Sequence, residues 1–335
     1  MVFKEVDMLE QKIISVEELS KYGPVTGLNE QAITLVKQQK ETWELARKNY
    51  AALSGVQTKK IDFGHFNIVA QHNPERIRSS AAKTDADSIA ARPCFLCLEN
   101  LPSEQKTIIF QGKYLILTNP FPIFPLHLTL SNLEHTPQRI QDFFTDMLEL
   151  SRELTGFTLF YNGPECGASA PDHFHFQAGN RGLLPIENEL KTLENLYAKV
   201  LVQNQKVKVF AVENYLRQFV AIVTSDTVAA AEMFRQIFLF LAGENPKEPL
   251  LNILCYYENG AWKIILFPRA KQRPSHFYRN DETQVVVGPA AVELGGVLVL
   301  PRKDDFVKIT KKIIAEIYGE VTIAENDFNL MLEII

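Results

Sequence analysis

Cysteine is scarce, with four residues in a chain of 335. That is too few for the disulfide framework of a small secreted scaffold. Positive charge is not in excess either: 35 Lys and Arg stand against 40 Asp and Glu, for a net charge of −5. A chain so balanced lacks the basic stripe that nucleic acid or an acidic membrane surface would require. The long apolar stretch at residues 285–300 is interrupted by Pro289, Glu293 and the glycines Gly288, Gly295 and Gly296, so it does not read as a membrane span. The first ten residues carry charge from Lys4 onward and have no apolar core of the secretory type. Together these absences lead us to expect a cytoplasmic protein with no nucleic-acid or membrane partner.

What is present is an ordinary globular composition, 46% apolar and 22% charged, at a length beyond which one core stops growing. Two packed halves are expected. The most informative stretch runs from Gly167 to Ala178, where His173, His175 and Gln177 alternate with Phe174 and Phe176. On an extended strand this spacing puts two imidazoles and a carboxamide in one row, with both phenylalanines packed behind. A neutral imidazole can attack phosphorus, and its neighbours can hold its tautomer and the phosphoryl oxygens. The small-residue turn Gly167-Ala168-Ser169 that enters the row allows backbone N–H groups to approach an anion closely.

The spacing predicts a helix over Leu28–Leu53, then irregular chain from Asp62 to Arg92 with scattered basic groups at Arg76, Arg78, Lys83 and Arg92. Strands are expected at 106–119, 126–130 and 157–162, with a helix opened by Thr136-Pro137 as cap and first-turn proline. Beyond Leu184-Pro185 a helix to about Lys199 links to two strands within 207–224, and Asp226 caps a helix through Leu241. Asn259-Gly260 joins two apolar strands as a type I′ hairpin. Strands at 284–287 and 297–300 and a helix over 304–318 complete the reading. Both halves run strands, helix, strands, which suggests a distant duplication.

The segment Tyr161-Asn-Gly-Pro-Glu-Cys-Gly-Ala-Ser-Ala-Pro-Asp-His-Phe-His-Phe-Gln177 resembles the active-site strand of the nucleotidyltransferase branch of the histidine-triad superfamily, where Gln replaces the third His. Asn119-Pro-Phe-Pro-Ile-Phe-Pro-Leu-His127, Thr136-Pro-Gln-Arg-Ile140 and Leu184-Pro-Ile-Glu187 look most like the GDP-hexose phosphorylases. Galactose-1-phosphate uridylyltransferases and diadenosine-tetraphosphate phosphorylases are relatives in the same branch. Gly288-Pro-Ala-Ala-Val-Glu-Leu-Gly-Gly296 with Leu300-Pro-Arg-Lys-Asp-Asp-Phe306 echoes the same enzymes more faintly. The resemblance implies an α+β fold of two histidine-triad-like halves, each an antiparallel sheet with packed helices. The divisions are a helical attachment at 1–60, a catalytic half at 61–190 and a second half at 191–335. It also implies that His175 is a nucleophile forming a nucleotidyl-histidine intermediate and that Gln177 contacts the phosphoryl oxygens. Asn162, Gly167, Ala168 and Ser169 then form the phosphate-contacting turn, with Ser169 counted beside His175 and Gln177 in the catalytic group. His276 is the only histidine of the second half, so one active site per chain is expected.

Cys94 and Cys97 form a C-x-x-C pair, half the ligand set of a structural zinc site. In the uridylyltransferases such a pair is joined by two histidines whose positions match His135 and His173 here. The GDP-hexose phosphorylases usually lack the pair, and two reduced thiols in a loop need no metal, so both readings stand at this stage. The basic cluster Arg269, Lys271 and Arg273 reads either as a solvated surface, the commoner case for such a cluster, or as a phosphate clamp with Arg269 and Lys271 as the substrate-binding pair. His127 reads as a packing or backbone-bonding histidine, and Glu293 as an exposed carboxylate. The function expected is phosphorolysis of a nucleotide sugar such as a GDP-hexose, with inorganic phosphate or a sugar phosphate as second partner and a homodimer as the default assembly. Its alternatives are phosphorolysis of a dinucleoside polyphosphate, hexose-1-phosphate uridylyl transfer, and a non-catalytic nucleotide- or zinc-binding regulator.

Overall fold

Two five-stranded antiparallel sheets, built in the same way, join edge to edge in the computed structural model, which describes residues 8–77, 86–213, 215–243 and 248–335. Arg78 and Lys83 of the expected basic segment, and Lys4 at the start, lie outside the described residues. The strands are β1 (Gln57–Asp62), β2 (Asn67–His72), β3 (Thr107–Phe110), β4 (Tyr114–Thr118), β5 (His127–Asn132), β6 (Phe157–Asn162), β7 (His175–Asn180), β8 (Ala198–Gln203), β9 (Val207–Val212), β10 (Phe219–Thr224), β11 (Leu251–Glu258), β12 (Ala261–Pro268) and β13 (Val297–Leu300). The large sheet has the order β3-β4-β5-β7-β6-β11-β12-β10-β9-β8. Each half contributes three strands, a helix (Phe144–Glu153 or Thr227–Ala242) and two more strands whose spatial order is reversed. This repeat of topology is the α+β duplication that the pattern of elements suggested.

The seam between halves is the antiparallel pair β6 and β11, in which Asn162 lies opposite Asn252. One face of the sheet packs Phe174, Phe176, Leu128 and Tyr161 under the helices Leu28–Thr42, Phe144–Glu153 and Thr227–Ala242. The other face carries a second core around Phe160, Phe210, Leu254 and Ile265, to which β13 contributes Val297 to Leu300. There β13 pairs in parallel with β2, so a strand from the end of the chain is stitched to one from its beginning.

Local chemistry explains the agreements. Asp226 accepts from the amides of Val228 and Ala229 and caps its helix as expected. Asn259 and Gly260 take φ of 51° and 78°, the left-handed pair a type I′ turn demands. It explains the differences too. The expected helix over 28–53 is two helices, Leu28–Thr42 and Glu44–Ala52, because Trp43 is extended with ψ of 111°. Residues 106–119 form a hairpin, β3 and β4, turned at Gln111 and Gly112, both with positive φ. No helix starts at Thr136. Its carbonyl accepts from Phe174 and the Gln138 amide donates to Pro171, so the segment braces the sheet and the helix begins only at Phe144. Residues 284–287 form no strand, and 304–318 divides into Lys303–Lys308 and Lys311–Val321. Strands β1, β2 and β8 were not anticipated; β2 lies within the stretch read as irregular.

No helix among the described residues is long and apolar enough to cross a membrane. Phe176 is fully buried behind the polar row and meets Tyr114, Tyr161 and Phe174 ring to ring. Truncation to alanine removes those contacts and leaves a cavity, so Phe176→Ala should destabilise the fold by about 3–5 kcal/mol. The urea unfolding midpoint measures it, and a change within error of wild type would contradict this packing.

Candidate active site and metal centre

β7 begins at His175, the centre of the polar row, and the sheet fixes that residue from behind. The Gln138 side chain accepts from the His175 amide at 2.8 Å and donates to the carbonyls of His175 at 2.9 Å and Asn162 at 3.1 Å. One carboxamide thus clamps β7 to β6. The ring is fixed next. His175 Nδ1 lies 2.9 Å from the His173 carbonyl, which can only accept, so Nδ1 carries the proton and the lone pair is on Nε2. Burial pushes the pKa of the imidazole down to about 4, so the ring is neutral at physiological pH.

His175 is only 3% exposed, yet it lines a cavity of about 430 Å³ on the second face of the sheet. The other first-half candidates, Asn162, Gly167, Ala168, Ser169 and Gln177, line the same cavity. Gly167 has φ of +103°, and a Cβ there would come within 2.7 Å of Ala290 Cβ, so the turn closes against the second half only as glycine.

Two relays of buried side chains orient the amides. The Ile123 amide donates to His127 Nδ1 at 3.2 Å, so the His127 proton is on Nε2, which meets Gln177 Oε1 at 3.0 Å. The oxygen of Gln177 is therefore engaged behind the wall, and its NH₂ group is left as the donor for the cavity. Burial holds the His127 pKa down at about 3, keeping this relay neutral. In the second relay the Arg269 guanidinium donates to Asn252 Oδ1, and Asn252 Nδ2 donates to Asn162 Oδ1 at 2.9 Å. The Ala291 amide donates to the same Asn162 oxygen at 2.9 Å. Asn162 too is left with its NH₂ as the free end.

Arg269 and Lys271 therefore do not form the substrate-binding pair of a phosphate clamp. Arg269 is buried and its other N–H groups go to the carbonyls of Val321, Lys271 and Gln272, while Lys271 pairs with Glu320 at 2.7 Å on the surface. Neither is among the described residues lining the cavity, whereas Arg273 of the same cluster is. Arg76 and Arg92 line it from the first half. Arg76 donates to the Phe121 carbonyl at 2.7 Å, and its buried Nε–H has no protein partner. Glu293 is not the exposed carboxylate expected. It is buried against the cavity and accepts from the Ala290 amide at 2.9 Å, and burial pushes its pKa up to about 7. Three guanidiniums against one buried carboxyl, whose charge burial disfavours, make the cavity attractive to phosphate.

His173 departs from the expected row. It sits at a bend just before β7 and turns its ring away, toward the cysteine pair. Cys94 Sγ and Cys97 Sγ lie 3.3 and 3.6 Å from His173 Nδ1, and Cys97 Sγ lies 3.0 Å from His135 Nδ1. All four ligand atoms fall within 4.8 Å of one another. Tetrahedral zinc, with Zn–S of about 2.3 Å and Zn–N of about 2.0–2.1 Å, separates S from N by about 3.5 Å. The donor set and its spacing fit that ion. The outer partners fit as well: His173 Nε2 meets the Asn132 carbonyl at 2.8 Å and His135 Nε2 meets Asp172 at 3.4 Å, which leaves each Nδ1 lone pair toward the sulfurs.

Several of these residues escaped the sequence reading. Asn252 had a signal, as a lone amide in the apolar run 251–256, and Gln138 carried none beyond its short motif; His127 is the backbone-bonding histidine expected, but its bond to Gln177 was not foreseen.

Residues 35–180 match the family described as Domain of unknown function (DUF4922), and residues 189–335 match the GDPGP1-like, C-terminal domain family. No curated protein sequence matches the chain. Among solved structures the chain is similar to yeast Ap4A phosphorylase Apa2, with 16% identity, 85% of this chain and 94% of that one covered, and a TM-score of 0.52. The same yeast protein in complex with Ap4A gives 17% identity, coverage of 85% and 96%, and a TM-score of 0.51. This likeness shows the fold.

The clamp at Gln138 is directly testable. Gln138→Leu orphans the His175 amide and two buried carbonyls, each costing about 1–3 kcal/mol when left unpaired. Chemical denaturation should report a loss of that order, and wild-type stability would show that the clamp carries no weight.

Proposed function

From the premise that the chain has the histidine-triad-like fold of the nucleotidyltransferase and phosphorylase branch, we propose that it is a phosphorylase of nucleotide sugars working through a nucleotidyl-histidine. The observation that carries this reading is the neutral His175, its Nε2 lone pair free on a cavity lined by Gln177, Asn162 and three arginines.

In the first step Nε2 of His175 attacks the α-phosphorus of the bound nucleotide. A P–N bond forms, the bond from phosphorus to the bridging oxygen breaks, and that oxygen leaves with its electron pair on the sugar 1-phosphate. The ring becomes cationic as the bond forms. The His173 carbonyl on Nδ1–H then stabilises it more strongly than it did the neutral ring, so the interaction favours the transition state. In the second step an oxygen of inorganic phosphate attacks the same phosphorus and the P–N pair returns to Nε2, releasing a nucleoside diphosphate. Two displacements at phosphorus, the first by an uncharged nitrogen and the second expelling it, replace one direct attack of an anion on an anion. The NH₂ groups of Gln177 and Asn162 stabilise the phosphoryl oxygens without carrying an acidic proton. Ser169 and the Gly167-Ala168 turn complete the phosphate side of the cavity.

The walls favour a nucleotide sugar. On the first-half side Trp43, Leu45, Phe95, Leu96 and Phe121 offer apolar surface to a base; on the second-half side Gln272, Arg273 and Glu293 offer polar groups to a sugar phosphate. A dinucleoside polyphosphate would bring a second base to that polar side. Hexose-1-phosphate uridylyl transfer is the second reading, favoured by the quartet of Cys94, Cys97, His135 and His173. In either case those four residues would hold zinc, which supplies a four-coordinate brace next to His175 with no open position for substrate.

Incubation with GDP-glucose, UDP-glucose or diadenosine tetraphosphate, without an acceptor, should add the mass of one nucleoside monophosphate to the intact protein with one of them. His175→Ala should show no adduct, and Gln177→Ala should lower kcat by about 10²–10³-fold. Adduct formation in His175→Ala would contradict the reading. Metal analysis should find one zinc per chain, lost in the Cys94→Ser, Cys97→Ser double variant together with a lower unfolding temperature; a zinc-free, equally stable wild type would contradict the brace.

A further inference from the structure

The residues between the two cysteines are exposed to a demand that the ligand set alone does not explain. Phe95 and Leu96 both line the cavity, although Cys94 and Cys97 on either side of them point to His173 and His135. Leu96 is buried, while Phe95 is 42% exposed. A large aromatic left half bare at a cavity wall is an unfilled stacking surface. Its environment is prepared: the Arg92 guanidinium lies 5.1 Å from the ring centroid and donates to the Ser169 carbonyl at 2.7 Å, linking this loop to the phosphate-contacting turn.

The loop has little else to hold it. Between the short helix Ala86–Ala90 and the turn of helix at Leu98–Asn100 there is no regular structure. Its hydrogen-bond ties among the described residues are the Arg92 side chain on Ser169, the Arg92 amide on the Ile89 carbonyl at 3.2 Å, the Cys97 amide on the Cys94 carbonyl at 3.3 Å, the Asn100 side chain on that same carbonyl at 2.9 Å, the Asn100 amide on the Cys97 carbonyl at 2.9 Å, and the two sulfurs. The sulfurs converge on His173, two residues before His175.

We propose that the loop 92–97 is the nucleobase-binding element of the site, with Phe95 as its stacking platform, and that occupancy of the Cys94, Cys97, His135 and His173 quartet sets its affinity for nucleotide. The inference rests on the nucleotide and metal readings above and adds a coupling between them. With all four ligands tied to one ion, Phe95 is held in place before the base arrives and the ordering cost falls on the metal rather than on the nucleotide. Coupling of this kind is reciprocal, so bound nucleotide must tighten the metal by the same factor.

The test uses full-length protein and two binding measurements. Affinities for GMP, AMP and UMP are measured by calorimetry on zinc-loaded and chelator-treated protein, and zinc affinity is measured by competition with a chromophoric chelator, with and without the tightest of the three. We expect nucleotide affinity to fall at least tenfold on metal removal and zinc affinity to rise by the same factor with nucleotide present. Phe95→Ala should weaken nucleotide binding at least tenfold in the zinc-loaded protein and reduce the coupling to within twofold, with zinc affinity unchanged, and Phe95→Tyr should restore both. Equal nucleotide affinity with and without metal would overturn the proposal, as would wild-type binding by Phe95→Ala. Should the chelated protein unfold, as circular dichroism would reveal, the zinc-loaded Phe95→Ala and Phe95→Tyr pair decides alone. A normal His175 adduct with no coupling refutes this proposal and leaves the proposed function standing; coupling without any adduct does the reverse.

Discussion

One hydrogen bond sets the chemistry of this protein: the proton on Nδ1 of His175 held by the main-chain carbonyl of His173. It decides which nitrogen turns its lone pair to the cavity, and the chain bends at His173 just before β7 begins. The Gln138 clamp then makes the backbone on both sides of that bend rigid. Without it the ring could rotate, and either nitrogen could face the cavity. Burial adds the second condition, a ring that stays neutral in a cavity also lined by Arg76, Arg92 and Arg273.

The same logic, a donor-only group at the back that dictates every orientation in front of it, governs the amides. Arg269 cannot accept, so Asn252 and then Asn162 have no choice of rotamer. The Ile123 amide cannot accept, so His127 and then Gln177 have none either. Preorganised donors of this kind need no rearrangement as charge develops on a phosphoryl group. Arg269 is thus a positioning residue that works from behind the cavity wall, and the seam between the two halves is where its influence reaches the site. The duplication of the fold acquires a purpose here, since the second half has no histidine row of its own yet supplies the relay, Arg273 and Glu293.

Much of this was legible from the sequence because the strongest signals were local. Period-two alternation identified the strand of His175 and Gln177, and Asn259-Gly260 identified a turn, since each depends on neighbours in the chain. The Cys-x-x-Cys pair was legible from its own spacing, but the two histidines that face it only through resemblance, because ligands from three separate segments have no common spacing. Arg269 misled for a physical reason: a cluster of arginine and lysine on a loop has the same composition whether its guanidinium faces solvent, a ligand or buried carbonyls. Thr136-Pro137 misled because a helix-starting pair was recruited to brace β7. Glu293 was misjudged because burial of a carboxyl depends on the packing of β13 and its preceding helix, which no local pattern reports.

The central claim is that phosphorus becomes bonded to Nε2 of residue 175 and to no other atom. The most direct measurement is ³¹P NMR of the trapped nucleotidyl protein labelled with ¹⁵N-histidine, in which coupling to nitrogen identifies the linked atom. The account predicts a single phosphoramidate signal coupled to Nε2 of His175 and absent from the His175→Ala protein. A signal coupled to Nδ1, or one belonging to a different residue, would contradict it.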